Sequence, residues 1–94
     1  MKYTWDINKN AINKAKHGIS FDTAKLAFDD PFHISLQDRH ENGEERWQTL
    51  GLINNQVVLL VAHTVYEENN METIRIISAR KATKQERSRY EYAH

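Results

Sequence analysis

The stretch Asn54–Ser78, NNQVVLLVAHTVYEENNMETIRIIS, decides the fold. Gln56–Tyr66 is mostly apolar and β-branched, which suits a central strand covered on both faces. Asn54-Asn55 is a plausible tight hairpin turn before it. Glu67–Asn70 reads as a polar loop, and Glu72–Ser78 as the last strand. Upstream, Arg46–Ile53 reads as a strand, and the polar segment His40–Glu45 with Gly43 as a turn. Before that turn Phe32, Ile34 and Leu36 alternate with His33, Ser35 and Gln37, the period of a half-buried strand.

Helical signals flank this run of strands. After a short opening strand at Lys2–Trp5, Asp6 or Asn8 can cap a helix. In that helix Ala11, Ile12 and Ala15 are expected to face inward, and Gly18 ends it. Ser20 can cap a second helix with Phe21, Ala24, Ala27 and Phe28 on one apolar face, stopped by Pro31. Thr83 and Glu86 form a capping box that starts a last helix, Lys84 to about Tyr92. That helix has no continuous apolar face, which places it at the edge of the fold or against a partner. The expected class is α+β: a small antiparallel sheet packed against helices, in the order β-α-α-β-β-β-β-α.

Ninety-four residues fit one domain, 1–94. With no Cys there is no disulfide, no thiolate zinc site and no thiol nucleophile, which fits a reducing cytoplasm. The N-terminus lacks the apolar core of a signal peptide, and Val57–Ala62, the longest apolar run, is too short to cross a bilayer. Net charge is zero but unevenly placed. Four Lys against Asp6 make residues 1–18 +3; two bases against seven acids make 19–45 −5. Three against three balance 46–80, and four bases against two acids make 81–94 +2. Any polyanion site would therefore join the two termini.

The histidines at 17, 33, 40, 63 and 94 have no metal-ligand spacing, so neither a metal nor another cofactor is expected. Lys9, Asn13 and Lys16 share one helix edge, with His17 at the helix C-terminus, where a cation is favoured. Such an edge can grip phosphate and move protons near neutrality; it is equally an ordinary solvated face. Arg46, Arg75 and Arg80 can be presented by neighbouring strands on one sheet face, suited to phosphate or to pairing with carboxylates. Lys84 and Arg87 extend this basic character into the last helix, beside Tyr90.

Four blocks lie in order along the chain: WDINKNAINKAKHGISFDTAKLAF at Trp5–Phe28, DP at Asp30-Pro31, ERWQTLG at Glu45–Gly51 and IRIISARKATKQERSRY at Ile74–Tyr90. Together they resemble the BrnT family of toxins over essentially the whole chain. The resemblance implies a bacterial type II toxin with a RelE-like microbial ribonuclease fold. It also implies an RNA substrate and a BrnA-type antitoxin, through which alone operator DNA would be engaged. Matching positions are Lys16, His17, Arg46, Arg80, Glu86 and Tyr90.

Cleavage of RNA without a metal needs a base for the 2′-OH, cations for the charged phosphorane and an acid for the 5′-oxygen. The expected assignments are His17 or Glu86 as base, Arg46 and Arg80 as clamps, and Tyr90 as acid or stacking platform. Lys9, Lys16, Arg75, Lys84 and Arg87 are the expected RNA contacts. A Glu86 held in its capping box would instead be structural. The alternative is a non-catalytic module that acts only through its protein partner.

Overall fold

A computed structural model describes residues 1–41 and 43–93, except the side chain of Glu41. Asn42 of the expected turn and His94, one of the five histidines, lie outside the described residues. The elements are β1 (Lys2–Thr4), α1 (Ile7–His17), α2 (Phe21–Ala24) with a 3-10 turn (Lys25–Asp29), β2 (Ile34–Glu41), β3 (Glu44–Ile53), β4 (Val57–Glu68), β5 (Met71–Lys81) and α3 (Lys84–Tyr92). The expected order of strands and helices is the observed one.

The strands form one sheet in the order β1-β5-β4-β3-β2. β2 through β5 are antiparallel neighbours, but β1 runs parallel to β5, with Lys2, Tyr3 and Thr4 opposite Thr73, Ile74 and Arg75. The expectation of a purely antiparallel sheet is thus corrected to a mixed one. Parallel neighbours need a long connection, and here every other strand intervenes between β1 and β5.

Two Asn-Asn pairs set the hairpins. Asn54 and Asn55 both have φ of 53°, and Asn69 and Asn70 have 53° and 62°. Positive φ at both central residues matches the right-handed twist of the flanking strands, and Asn tolerates it better than most residues. The loop expected over Glu67–Asn70 is therefore a two-residue turn, and both flanking strands run further than their composition suggested. β2 is likewise shifted, starting at Ile34 and continuing through the polar His40 and Glu41.

β4 is covered on both faces along its first half, as expected. One face packs Leu59, Val61, Ile74, Ile76 and Ala79 under Phe21, Ala24 and Ala27. There the 3-10 turn lies directly on β3: a Cβ on Gly51 would stand 2.3 Å from the Ala27 carbonyl oxygen. The other face packs Leu50, Val58 and Leu60 against Ala82 and Tyr90 of the α3 segment. The capping box of α3 is complete, with Glu86 N donating to Thr83 Oγ1 and Thr83 N to Glu86 Oε1. Among the described residues no helix is long and apolar enough to cross a membrane.

The largest departure is α1. Its caps are as expected: Asp6 accepts from Asn8 N and Lys9 N, and Gly18 has φ of 73°. Its orientation is not. Ala11, Ile12 and Ala15 are exposed, and Asn13 is the buried residue of the helix. The cause lies in the sheet edge. β1 covers β5 only as far as Arg75, so the outer edge beyond it needs other partners. Asn13 supplies them at Ala79, with Nδ2 donating to the Ala79 carbonyl at 2.9 Å and Oδ1 accepting from the Ala79 amide at 3.1 Å. Its Nδ2 also donates to Ile19 O, while Asn10 Oδ1 accepts from Phe21 N. Satisfying buried backbone groups outweighs burying two alanines and an isoleucine here.

Candidate functional site

Strand register aligns a basic row across the sheet. Arg39 of β2 is opposite Arg46 of β3, Arg46 is opposite Thr64 of β4, Thr64 is opposite Arg75 of β5, and Arg75 is opposite Thr4 of β1. Directly opposed residues share a face, so three guanidiniums stand on the face that α3 covers further along. Thr64 is only 3% exposed, and its Oγ1 has no hydrogen-bond partner. Arg46 Nε and Thr4 Oγ1, in the same row, are also buried without partners. Unpartnered buried polar atoms are costly and call for a ligand or water. Arg46 and Arg75 make no ion pair among the described residues, whereas Arg39 has further interactions.

α1 borders this row. Lys9 lines a small cavity of about 90 Å³ with Glu44, Arg46, Thr64, Arg75 and Ile77. Lys9 also lines a neighbouring hollow of about 250 Å³ with Ile12, Asn13, Lys16, His17, Ile77 and Ser78. Lys9, Lys16, His17, Arg46 and Arg75 therefore gather on one side of the molecule, which joins a helix edge and a strand pair that the sequence presented as separate groups. An irregularity in β5 helps. Ala62 is opposite Ser78 but His63 is opposite Ile76, which leaves Ile77 as an extra residue. The resulting bulge reverses the alternation, so that Arg75 and Arg80, five residues apart, share a face.

Arg80 points along that face but is committed. Its Nη1 and Nη2 donate to Glu86 Oε1 and Oε2 at 2.8 and 3.0 Å. This fork, helped by the capping hydrogen bonds from Thr83 and opposed by partial burial, takes the Glu86 carboxyl down to about 2. Glu86 is thus ionised at neutral pH with both oxygens occupied, which fits the structural alternative better than a general base. Arg80→Ala is expected to lower the melting temperature by roughly 4–8 °C, about 1 kcal/mol for a partly exposed charge-assisted pair. Unchanged melting would show that the pair holds nothing in place.

Tyr90 is also committed. It is 8% exposed, and its hydroxyl donates to Asp30 Oδ2. Burial, then the Asp30 carboxylate, pushes the phenol up to about 12. Asp30 in turn accepts from Leu52 N and Phe32 N, so Tyr90 ties α3 to the sheet and is not exposed to stack on a base. Lys84 and Arg87 stand exposed on α3.

The sequence model of the family described as "Ribonuclease toxin, BrnT, of type II toxin-antitoxin system" matches residues 5–86. The chain belongs to the BrnT family. A 1.1 Å crystal structure of the Brucella abortus ribonuclease toxin BrnT superposes with a TM-score of 0.68 at 27% identity, covering 89% of this chain and 99% of that one. No curated protein matches the chain significantly.

Within this BrnT-family fold, four members of the basic face escaped the sequence reading, Thr4 among them. Arg39 and Thr64 enter it only through register. Tyr66, two residues beyond Thr64 and 38% exposed, lines a shallow hollow with Thr4, Trp5, Asp6 and Arg75. The signal for Arg39 was present in the turn, since 39 and 46 become opposite once Glu41 and Glu44 close the hairpin.

A wider hollow of about 440 Å³ opens on the opposite face, lined by Phe28, His33, Ser35, Glu45, Trp47, His63 and Glu72 among others. Its two carboxylates make it a poor seat for phosphate. Here His63 Nε2 meets Thr49 Oγ1 at 2.7 Å, and Thr49 Oγ1 meets Ser35 Oγ at 2.8 Å. His63 Nδ1 has no well-formed hydrogen bond, and burial drives the imidazole down to about 4, with the Thr64 backbone only partly opposing this.

Because the folded imidazole binds its proton less readily than the unfolded one, its stabilising effect is complete above about pH 6.5 and lost on descent to about 4. Glu86 adds a second loss between about 4.5 and 2. The urea midpoint is expected to hold from pH 8 to 7 and then fall, with His63 contributing about 2–3 kcal/mol by pH 4. In His63→Leu the decline should begin only near pH 4.5. An unchanged profile in that variant would contradict this assignment.

Proposed function

We propose that the chain is a metal-independent endoribonuclease toxin, acting in the cytoplasm as a single domain and neutralised by a BrnA-type antitoxin that carries operator binding. The observation that supports this best is the cross-strand row Arg46–Thr64–Arg75, whose buried Thr64 Oγ1 and Arg46 Nε await an acceptor or donor. A phosphodiester over the row suits these cations: its anionic oxygens accept from both guanidiniums. The preorganised cations would then hold the phosphorane more tightly than the starting diester. His17, at the end of α1 beside Lys16, is the base we assign to the 2′-OH. Lys9 offers a protonated group near the departing 5′-oxygen. Arg80, Glu86 and Tyr90 keep supporting roles, holding α3 against the sheet. The mixed sheet with helices on both faces is compatible with the RelE-like ribonuclease framework.

Purified protein should cleave labelled RNA in the presence of EDTA and leave 2′,3′-cyclic phosphate or 3′-phosphate ends. Expression alone should arrest growth, and coexpressed antitoxin should restore it. Products with 3′-hydroxyl ends, or loss of cleavage on chelation, would refute the mechanism. RNA binding without cleavage would favour the non-catalytic module.

A further inference from the structure

We propose that the outward face of α1 is the seat of an acidic amphipathic helix of the antitoxin, an inference that rests on the toxin reading above. α1 is docked by its asparagines, which leaves Ile7 81% and Ile12 65% exposed, with Ala11 and Ala15 exposed beside them. At spacings of four and eight residues, Ile7, Ala11 and Ala15 form a ridge about two turns long, widened by Ile12. Isoleucines are uncommon choices for a solvated helix surface, and here Ala11 and Ala15 connect the two. The small alanines between them let a second helix approach closely.

The charge around the ridge selects the occupant. α1 contains Lys9, Lys14 and Lys16 and no acid, and none of the three makes an ion pair among the described residues. A helix with apolar residues at the same spacing and Asp or Glu on its flanks would cover the isoleucines and answer the lysines together. A second copy of the chain docked through the same ridge would set lysine against lysine. The position also has a consequence for activity. Lys9 and Lys16 stand between the ridge and the basic row, so a helix seated on the ridge would neutralise them and obstruct the path of RNA.

The test uses the full chain and the protein encoded beside it, measured by calorimetry and gel filtration. Ile7→Gln/Ile12→Gln should weaken that complex about 100-fold, from the loss of two buried apolar side chains. Lys14→Glu, on the far side of the ridge from the row, should weaken it about tenfold at low salt and less at high salt. Both variants should melt like the wild type and escape rescue in the growth assay, and Lys14→Glu, which lines neither hollow, should cleave RNA as fast as the wild type when uncomplexed. Unchanged affinity in the double variant would overturn the docking site while leaving the toxin reading intact. No complex with the wild type would overturn both. Self-association of the toxin that the same variants abolish would assign the ridge to a second copy instead, and vesicle binding that they abolish would assign it to a membrane surface.

Discussion

Arg46→Ala is expected to reduce RNA cleavage by about 10²–10³-fold, the usual cost of removing one preorganised donor to a developing oxyanion. Arg46 lies in the row between Arg39 and Thr64 and combines a half-buried stem with an unpartnered Nε. Among the described residues its side chain makes no hydrogen bond, so melting should move by less than about 3 °C. Arg75→Ala should act in the same direction, because Arg75 faces Thr64 from the other side. Lys at either site would keep the charge but not the planar fork, and should recover only part of the rate. Growth assays beside single-turnover cleavage decide the matter. Full cleavage by a folded Arg46→Ala protein would remove the row from the active site.

Local signals carried most of the fold. The capping box at Thr83, the left-handed Gly18 and the Asn54-Asn55 turn each act within a few residues, and each is where its chemistry placed it. Non-local facts were not legible in the same way. Nothing in Lys2–Thr4 says that it runs parallel to β5. Nothing in IRIISAR says that Ile77 is a bulge, yet that bulge decides whether Arg80 joins Arg75 on one face. The site divides similarly. Lys9, Lys16 and His17 could be grouped from helical periodicity, and Arg46 with Arg75 from strand periodicity, but the meeting of the two groups is non-local. Arg80, Glu86 and Tyr90 were harder, since a charged fork to Glu86 and a buried hydroxyl on Asp30 are commitments made after folding.

Asn13→Ala should destabilise the protein far more than Ile12→Ala, although apolar periodicity assigns the core role to Ile12. Asn13 is 5% exposed and makes three hydrogen bonds, at 2.9 Å to Ile19 O, 2.9 Å to Ala79 O and 3.1 Å from Ala79 N. Alanine leaves all three backbone groups without that partner, at about 1–3 kcal/mol each before water enters. A total near 3–5 kcal/mol is a large share of the stability of a domain this size, and corresponds to a melting loss on the order of 15–30 °C. Ile12→Ala removes an exposed side chain from a helix and favours helix propensity, so its melting should shift by no more than about 3 °C. Asn13→Asp separates the two halves of the clamp. It keeps the acceptor for Ala79 N but aims a carboxylate at two carbonyl oxygens, and should be at least as damaging as alanine. Thermal melts of the three variants, followed by circular dichroism, test the order. If Ile12→Ala melts lower than Asn13→Ala, then α1 is held by its apolar side, and both the edge clamp and the exposed ridge are wrong.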